Sequence, residues 1–355
     1  MNSKKKISII LPFVATKPIG GVKIMYQYAN ELAARGHSIT IYHAIKKFEK
    51  KSFLPAFIKL FIYKLRGVER PGWFPLNPSI TSKIITEVND KNIDVADIVF
   101  STWWGLAFMI DKLSPSKGKK FNLIQGYEIW KGHKDLVHKS YSLHLNHIVI
   151  SKYLIELVEA FLGRKPLYLP NAIDFEKFNL RIPPEQRNRA SICMLYSTDI
   201  IKGTGFGLKA LLDLKKHVPD LVVELFSIYK DPGDLPDWIK FHYKPENLTE
   251  IYNRNAIFLS PSLTEGWALP PAEAMACGCA VVCTDIGGHR DYASNGRTAL
   301  LVRTESPEDI TSKLSALIDD DNLRIDIAKN ANTYLQDNFN WTSSVLMLED
   351  YFEKC

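Results

Sequence analysis

The sequence predicts an α/β protein built from two doubly wound, Rossmann-like domains, and three observations carry that prediction. Its 355 residues, 46% of them hydrophobic, are enough to fill two separate cores. Short apolar runs rich in β-formers alternate with helical stretches almost from end to end, the pattern of parallel sheets covered by helices. Finally, the stretch Pro261 to Asp285 joins a buried strand to a helix through the loop Glu265-Gly266-Trp267-Ala268-Leu269. That loop lies at the carboxyl end of a strand, where open α/β sheets bind their ligands.

Taken in order, Lys4-Lys5-Lys6 and the apolar run after it look briefly like a signal peptide, but the run is too short and lacks a small-residue cleavage site. Ile7 to Leu11 is therefore read as the first strand. Gly20-Gly21, a helix over Val22 to Ala34, a break at Gly36 and a strand over Ser38 to His43 follow. The paired glycines allow a close backbone approach, although their spacing is not G-x-G-x-x-G. Residues 46–76 then change character: lysines and arginines interleave with Phe53, Phe57, Leu60, Phe61, Ile62, Tyr63 and Leu65. The formal net charge is only +6, so much of the basic excess sits here, and such a basic amphipathic stretch suits an anionic membrane surface. A helix packed on the sheet with a solvated basic edge is the other reading. No nucleic-acid-binding motif accompanies the charge, so nucleic acid is not expected as a partner.

Strands are next expected over Asp97 to Ser101, closing on Thr102-Trp103-Trp104-Gly105, over Phe121 to Gln125, closing on Gly126-Tyr127-Glu128, and over His147 to Ser151. A second domain opens with a strand over Ser191 to Tyr196. Ser197 to Gly207 leads from it into a helix at Leu208; its Gly203, Gly205 and Gly207 do not have dinucleotide-binding spacing. Leu221 to Ser227 reads as a strand, Leu248 to Asn253 as a short helix and Ala256 to Ser260 as a buried parallel strand. A helix is expected to start near Pro271, where a missing N–H is tolerated, and to end at Gly278. On this reading Glu273 sits in the first helical turn and can reach a ribose diol, while Glu265, on the loop, can reach the hydroxyls of a transferred sugar. Amides of Gly266 to Leu269 face an anion. Alternatively, Glu265 is simply solvated and Glu273 complements the helix dipole.

The run E-G-W-A-L-P-P-A-E, continued by A-C-G-C-A-V-V-C-T-D-I-G-G, resembles the E-x7-E signature of retaining GT-B glycosyltransferases, in particular glycosyltransferase family 4. The resemblance implies a GT-B fold: two Rossmann-like domains facing a cleft, with a C-terminal helix returning to the N-terminal domain. It implies that Glu265 contacts the donor sugar, that Glu273 contacts the ribose, and that the Gly266 to Leu269 backbone meets the diphosphate. Lys202-Gly203 before a helix matches the family's donor-phosphate lysine. Gly20 and Gly21 are where the family brings its N-terminal domain to the donor phosphates and acceptor. Gln125-Gly126-Tyr127-Glu128 resembles the cleft segment of bacterial rhamnosyltransferase-like members, so Glu128 is a candidate to orient an acceptor hydroxyl or act as a base. Pairing with a neighbouring lysine is the other role open to Glu128. Gln125, Trp103 and Asn171 are assigned to the acceptor side. Pro170-Asn171-Ala172-Ile173-Asp174 resembles the family's P-N-G-I-D crossing between domains, with Ala172 in place of glycine. The expected division is 1–170, completed by 336–355, and 171–335. Ser197 stands where most relatives have an arginine; either another base such as Arg290 substitutes, or hydroxyls and amides suffice.

Five cysteines at irregular spacing make no disulfide framework and favour a reducing cytoplasm. Cys277, Cys279 and Cys283 read as packing rather than ligands. His144 and His147 would share a face if their segment were helical, but no carboxylate or thiolate completes a metal set with them and His133 or His138. Asp319-Asp320-Asp321 reads as a solvated helix boundary. No metal or cofactor is expected. The sequence thus points to a cytoplasmic enzyme, peripheral on the inner face of the membrane, moving a sugar from a nucleoside diphosphate sugar to a saccharide or lipid-linked saccharide. Two alternatives stay open: a catalytically impaired homologue that binds a nucleotide or glycan as a scaffold, and an isomerase or hydrolase of sugar nucleotides.

Overall fold

A computed structural model describes residues 3–45, 54–129, 132–230 and 232–355. The chain divides into two compact units, residues 1–171 with 341–355, and residues 172–340.

The first unit runs β1 (Lys6–Leu11), α1 (Gly20–Ala34), β2 (Ser38–Ala44), α2 (Ala56–Leu65), β3 (Thr81–Ile85), β4 (Ile98–Thr102), α3 (Trp104–Asp111), β5 (Lys119–Ile124), α4 (Lys134–Tyr141), β6 (Asn146–Val149), α5 (Tyr153–Leu162) and β7 (Leu167–Tyr168). Its strands are parallel in the order β3-β2-β1-β4-β5-β6-β7. The second unit runs β8 (Ser191–Leu195), α6 (Thr204–Lys215), β9 (Val222–Ser227), β10 (Ile239–Tyr243), α7 (Leu248–Arg254), β11 (Ile257–Ser260), α8 (Leu269–Ala276), β12 (Ala280–Thr284), β13 (Leu300–Val302), α9 (Pro307–Asp319) and α10 (Asp321–Asn338). Its parallel order is β10-β9-β8-β11-β12-β13. The chain then returns to the first unit as α11 (Trp341–Lys354). Residues 336–338 are the last of α10, so the return begins at Trp341 rather than at 336.

Each sheet starts at an inner strand and winds outward in both directions, which creates one switch point per unit: between β1 and β4, and between β8 and β11. Loops leaving the two strands of such a fork diverge to opposite faces and leave a crevice between them. The central strands are buried on both faces, so they read as continuous apolar runs; Ile257–Ser260 and Ala280–Thr284 are buried at every position. Ile192, Met194, Val223, Leu225, Ile257, Leu259 and Val282 form the middle of the second core, closed by Leu211 and Leu214 of α6 and by Ile310 and Leu314 of α9. In the first unit, α11 is clamped by Glu349, which accepts from Arg35 Nε at 2.7 Å and Nη2 at 2.8 Å and bonds His37 Nε2 at 2.9 Å.

Several expectations shift in register or kind. Residues 144–147 are not helical: His144 lies in the turn after α4 and His147 is buried in β6. Leu143 to Leu145 tighten that turn, since Leu145 N donates to Leu143 O at 2.8 Å. His133 packs at a tilt against Trp104, while His138 lies between Tyr127 and Phe161 with Tyr127 Oη 2.7 Å from its Nε2. Asp319-Asp320-Asp321 is a helix-to-helix junction: Asp320 caps α10 by accepting from Leu323 N at 2.9 Å, and Asp321 pairs with Arg324 at 2.6 Å. Of the basic stretch 46–76, residues 46–53 lie outside the described residues; the rest contains α2. Among the described residues, no helix is long and apolar enough to cross a membrane.

Candidate active site at the fork of the second sheet

The fork between β8 and β11 brings together residues far apart in sequence. After β8, Asp199 accepts from Ile201 N at 3.3 Å and caps a short turn that ends at Lys202. Gly203 follows with φ +64°, and a Cβ there would stand 2.0 Å from the Pro261 carbonyl oxygen. Only glycine tolerates both the left-handed backbone and that approach. The loop after β8 is thereby pressed onto the loop after β11, and Leu263 N donates to Ile201 O at 2.7 Å. Gly207 serves the same end, because a Cβ would meet Met194 Sδ at 2.5 Å, whereas Gly205 has open space. The triplet of glycines is thus explained by packing at two of its three positions.

Lys202 Nζ reaches Glu265 Oε1 at 2.7 Å, and Ser262 Oγ donates to the same oxygen at 2.9 Å. Lys202 and Glu265, with Ser262, Pro261, Pro270 and Pro271, line a pocket floored by Leu259 and Leu195. The lysine side chain is 28% exposed and the carboxylate 13%, so the pair faces the pocket rather than bulk solvent.

The loop from Glu265 to α8 is fixed from behind. Trp267 is fully buried against Tyr292 and Phe339, at ring separations of 4.8 and 5.4 Å. Tyr292 Oη donates to the Ala268 carbonyl at 2.9 Å. Ala268 holds φ +54°, unusual for a residue with a Cβ and costing about 1–2 kcal/mol. A Cβ on Gly288 would sit 2.4 Å from the Glu265 carbonyl oxygen, so the Gly287-Gly288 loop is a close-fitting support for Glu265. His289 anchors that loop: it is buried, with Nδ1 2.7 Å from Thr284 O and Nε2 3.4 Å from Ser260 Oγ. Burial lowers its pKa and keeps the ring neutral, so Nδ1–H donates to the carbonyl and Nε2 accepts from the serine.

Helix α8 starts at Leu269, two residues before the expected Pro271, and both prolines fall in its first turn. They remove two of the four N–H groups a helix start ordinarily offers. The earlier start also moves Glu273 from the first turn to the second. There it is buried, with Tyr252 Oη 3.5 Å from Oε2. The C-terminal ends of α7 and α8 are tied by Arg187, whose Nη1 donates to Tyr252 O at 3.1 Å and Asn255 O at 2.9 Å, and whose Nη2 donates to Cys277 O. Gly278, in a left-handed conformation, ends α8 against this guanidinium. Cys277, Cys279 and Cys283 are all buried, and burial pushes the thiols of Cys277 and Cys283 well up.

Ser197 Oγ accepts from Asp199 N at 3.1 Å and its backbone is bridged by Thr204 Oγ1, so it shapes the turn that presents Lys202. Arg290 is bound twice to Asp285, at 2.7 and 3.1 Å, so any phosphate contact would have to draw it from that carboxylate. In the first unit, Gly20 and Gly21 open α1, and Gln125 Nε2 donates to Gly21 O at 3.0 Å and to Thr102 Oγ1 at 2.8 Å, joining the loops after β1, β4 and β5. Trp103 caps α3 with φ +78°, its ring held over Gly105. Trp104 N lies 3.5 Å from Glu128 Oε2. Asn171, buried, closes the first unit. Among these residues the sequence assigns no site role to Ser262 or Tyr292, and it marks Gly288 and His289 only as part of the Gly287 to Asp291 segment, which resembles the family's Gly-x-x-Glu loop. Ser262 stands three residues before Glu265; the support that the other three give comes from contacts that only the fold creates.

Residues 234–334 match the family described as glycosyl transferases group 1. A curated N,N'-diacetylbacillosaminyl-diphospho-undecaprenol alpha-1,3-N-acetylgalactosaminyltransferase of Campylobacter jejuni is 36% identical over 24% of this chain and 23% of its own length. The chain spans about a quarter to half the length of the curated relatives it matches. Among solved structures, sucrose-phosphate synthase from Thermosynechococcus elongatus superposes with a TM-score of 0.71 at 14% identity over 99% of both chains. Anabaena HepE in complex with UDP-glucose superposes with a TM-score of 0.73 at 12% identity, over 99% of this chain and 100% of that one. Two parallel α/β units of this order, alike over their whole length to such structures, are the two-domain Rossmann-like fold named GT-B.

Proposed function

We propose that the chain is a retaining glycosyltransferase that moves a sugar from a nucleoside diphosphate sugar to a saccharide or lipid-linked saccharide, with no divalent metal in the reaction. The observation that carries this is the Lys202–Glu265 pair at the switch point of the second sheet, a cation and a carboxylate side by side above loop amides. On this reading the bond from the anomeric carbon to the diphosphate breaks while Lys202 Nζ turns from Glu265 to the leaving phosphate. The amides of Gly266, Trp267, Ala268 and Leu269 meet the same charge, the kind of fixed electrostatic help that dominates such transfers. Glu265 holds the sugar hydroxyls and Glu273 the ribose diol. An acceptor hydroxyl bonds to the anomeric carbon on the face the diphosphate leaves, and its proton passes to the departing phosphate oxygen. Gly20 and Gly21 are assigned to the donor phosphates and the acceptor, and Gln125, Trp103 and Asn171 to the acceptor, with Glu128 orienting its hydroxyl. HepE was solved with UDP-glucose and the Campylobacter relative is named for an undecaprenol-linked acceptor, which supports testing UDP-sugars and polyprenyl diphosphate saccharides first. The enzyme would act in the cytoplasm at the inner face of the cell membrane.

The test is hydrolysis and binding across a panel of UDP-, GDP- and dTDP-sugars, with and without EDTA. Turnover of one donor, insensitive to EDTA and lost in Glu273→Ala, is expected. Absence of binding and turnover across the panel, or an unaffected Glu273→Ala, would overturn the transferase reading.

A further inference from the structure

Helix α2 departs from the pattern of every longer helix in the protein. Its ten residues, AFIKLFIYKL, are mostly apolar, yet none is buried. Phe57 is 69% exposed, Phe61 63% and Leu65 72%, and Leu54 just before the helix is 42% exposed. Positions 54, 57, 61 and 65 follow helical spacing, so these side chains make one continuous stripe along the outer face. Ile58, Leu60, Ile62 and Tyr63 are half-buried, and the helix rests beside β3. A stripe of large apolar side chains in water is costly unless something covers it.

Charge identifies what does. From Leu54 to Val68 there is no acidic residue, and Lys59, Lys64 and Arg66 flank the stripe; in sequence, residues 46–53 add four lysines and one glutamate. A cation-only border around an apolar ridge complements an anionic headgroup layer over acyl chains. The geometry points to α2 as a membrane-docking element that lies in the plane of an anionic bilayer, with Phe57, Phe61 and Leu65 inserted and Lys64 and Arg66 at the headgroups. The inserting residues are only part of the aromatic set seen in the sequence. The inference does not depend on the chemistry assigned to the second unit.

The test is co-sedimentation of the full chain with vesicles of phosphatidylcholine containing roughly one third phosphatidylglycerol, against phosphatidylcholine alone, without any donor. Binding to the anionic vesicles is expected to weaken as salt rises. The triple variant F57S/F61S/L65S is expected to bind roughly a thousandfold more weakly, each lost side chain counting for about tenfold. K64Q/R66Q is expected to lose a few-fold and most of the salt dependence. Because the substituted side chains are exposed, thermal melts of the variants should match the parent. Failure of the parent to bind anionic vesicles, or equal binding by the triple variant, overturns the proposal. So does a dimer that the triple variant breaks, which would make the stripe a protein interface. Donor hydrolysis in vesicle-free solution reads the transferase proposal separately.

Discussion

Replacing Glu265 by glutamine is expected to tighten the binding of a bare nucleoside diphosphate while abolishing sugar transfer. In the ligand-free site the Lys202 ammonium is already neutralised, 2.7 Å from Glu265 Oε1, so a diphosphate must compete for it. Charge-assisted hydrogen bonds contribute roughly 1.5–3 kcal/mol and exposed ion pairs under about 1 kcal/mol. With the partners 28% and 13% exposed, the pair is worth about 1–2 kcal/mol. Glutamine keeps the shape and the Ser262 contact but gives up most of that hold and removes a like charge beside the phosphates. At about 1.4 kcal/mol per tenfold, the diphosphate should bind roughly 5- to 30-fold more tightly. Titration calorimetry of the nucleoside diphosphate chosen by the donor panel, at two salt concentrations, measures this. Glu273→Gln, away from the lysine, should show no gain. An unchanged or weaker affinity in Glu265→Gln would refute the competition argument.

Gly288→Ala would force a Cβ to within 2.4 Å of the Glu265 carbonyl oxygen; it should cost about 1–3 kcal/mol of stability and depress transfer with little change in diphosphate binding, measured by urea unfolding and steady-state kinetics. Arg187→Met would strip donors from the carbonyls of Tyr252, Asn255 and Cys277, and a loss of roughly 2–4 kcal/mol in chemical denaturation is expected. His43 and His147, buried in the first unit, are both lowered to about 4 from the ordinary 6.5, chiefly by burial. The folded state therefore binds fewer protons than the unfolded one: stability is complete above pH 6.5 and falls by about 1.4 kcal/mol per pH unit for each histidine as pH drops towards 4. Urea titrations from pH 7 to 4.5 should show this slope, with His289, likewise lowered by burial, adding to it; His147→Gln should make it shallower by one histidine's share, and a flat profile would contradict it.

The fold was legible because buried parallel strands cannot hide: Ile7 to Leu11, Ser191 to Leu195 and Ala256 to Ser260 announce themselves as apolar runs. Weaker strands such as Thr81–Ile85 and Ile239–Tyr243 carry polar residues at the sheet edge and passed unnoticed. Of the candidate site, Glu265 and Glu273 stand out at a strand-to-helix corner and Lys202 through the resemblance of Lys202-Gly203 to the family's pattern. The pairing of Lys202 with Glu265 does not, because 63 residues separate them and only the adjacency of β8 and β11 joins them. The register of α8 was misread by two residues because proline fits any of the first helical positions. Nor does the sequence show that Arg290 pairs with Asp285.

Two prolines at the head of α8 also bear on how quickly the enzyme proposed here could empty itself. A helix end with its full complement of amides can grip a pyrophosphate long after the sugar has gone. Here that complement is thinned by two, and on the proposed chemistry much of the remaining hold would rest on one ammonium with a carboxylate beside it. On that proposal, Glu265 would recapture Lys202 as the spent nucleotide loosens, which would hasten its release. The residue that reads the incoming sugar would then also set the residence time of the product.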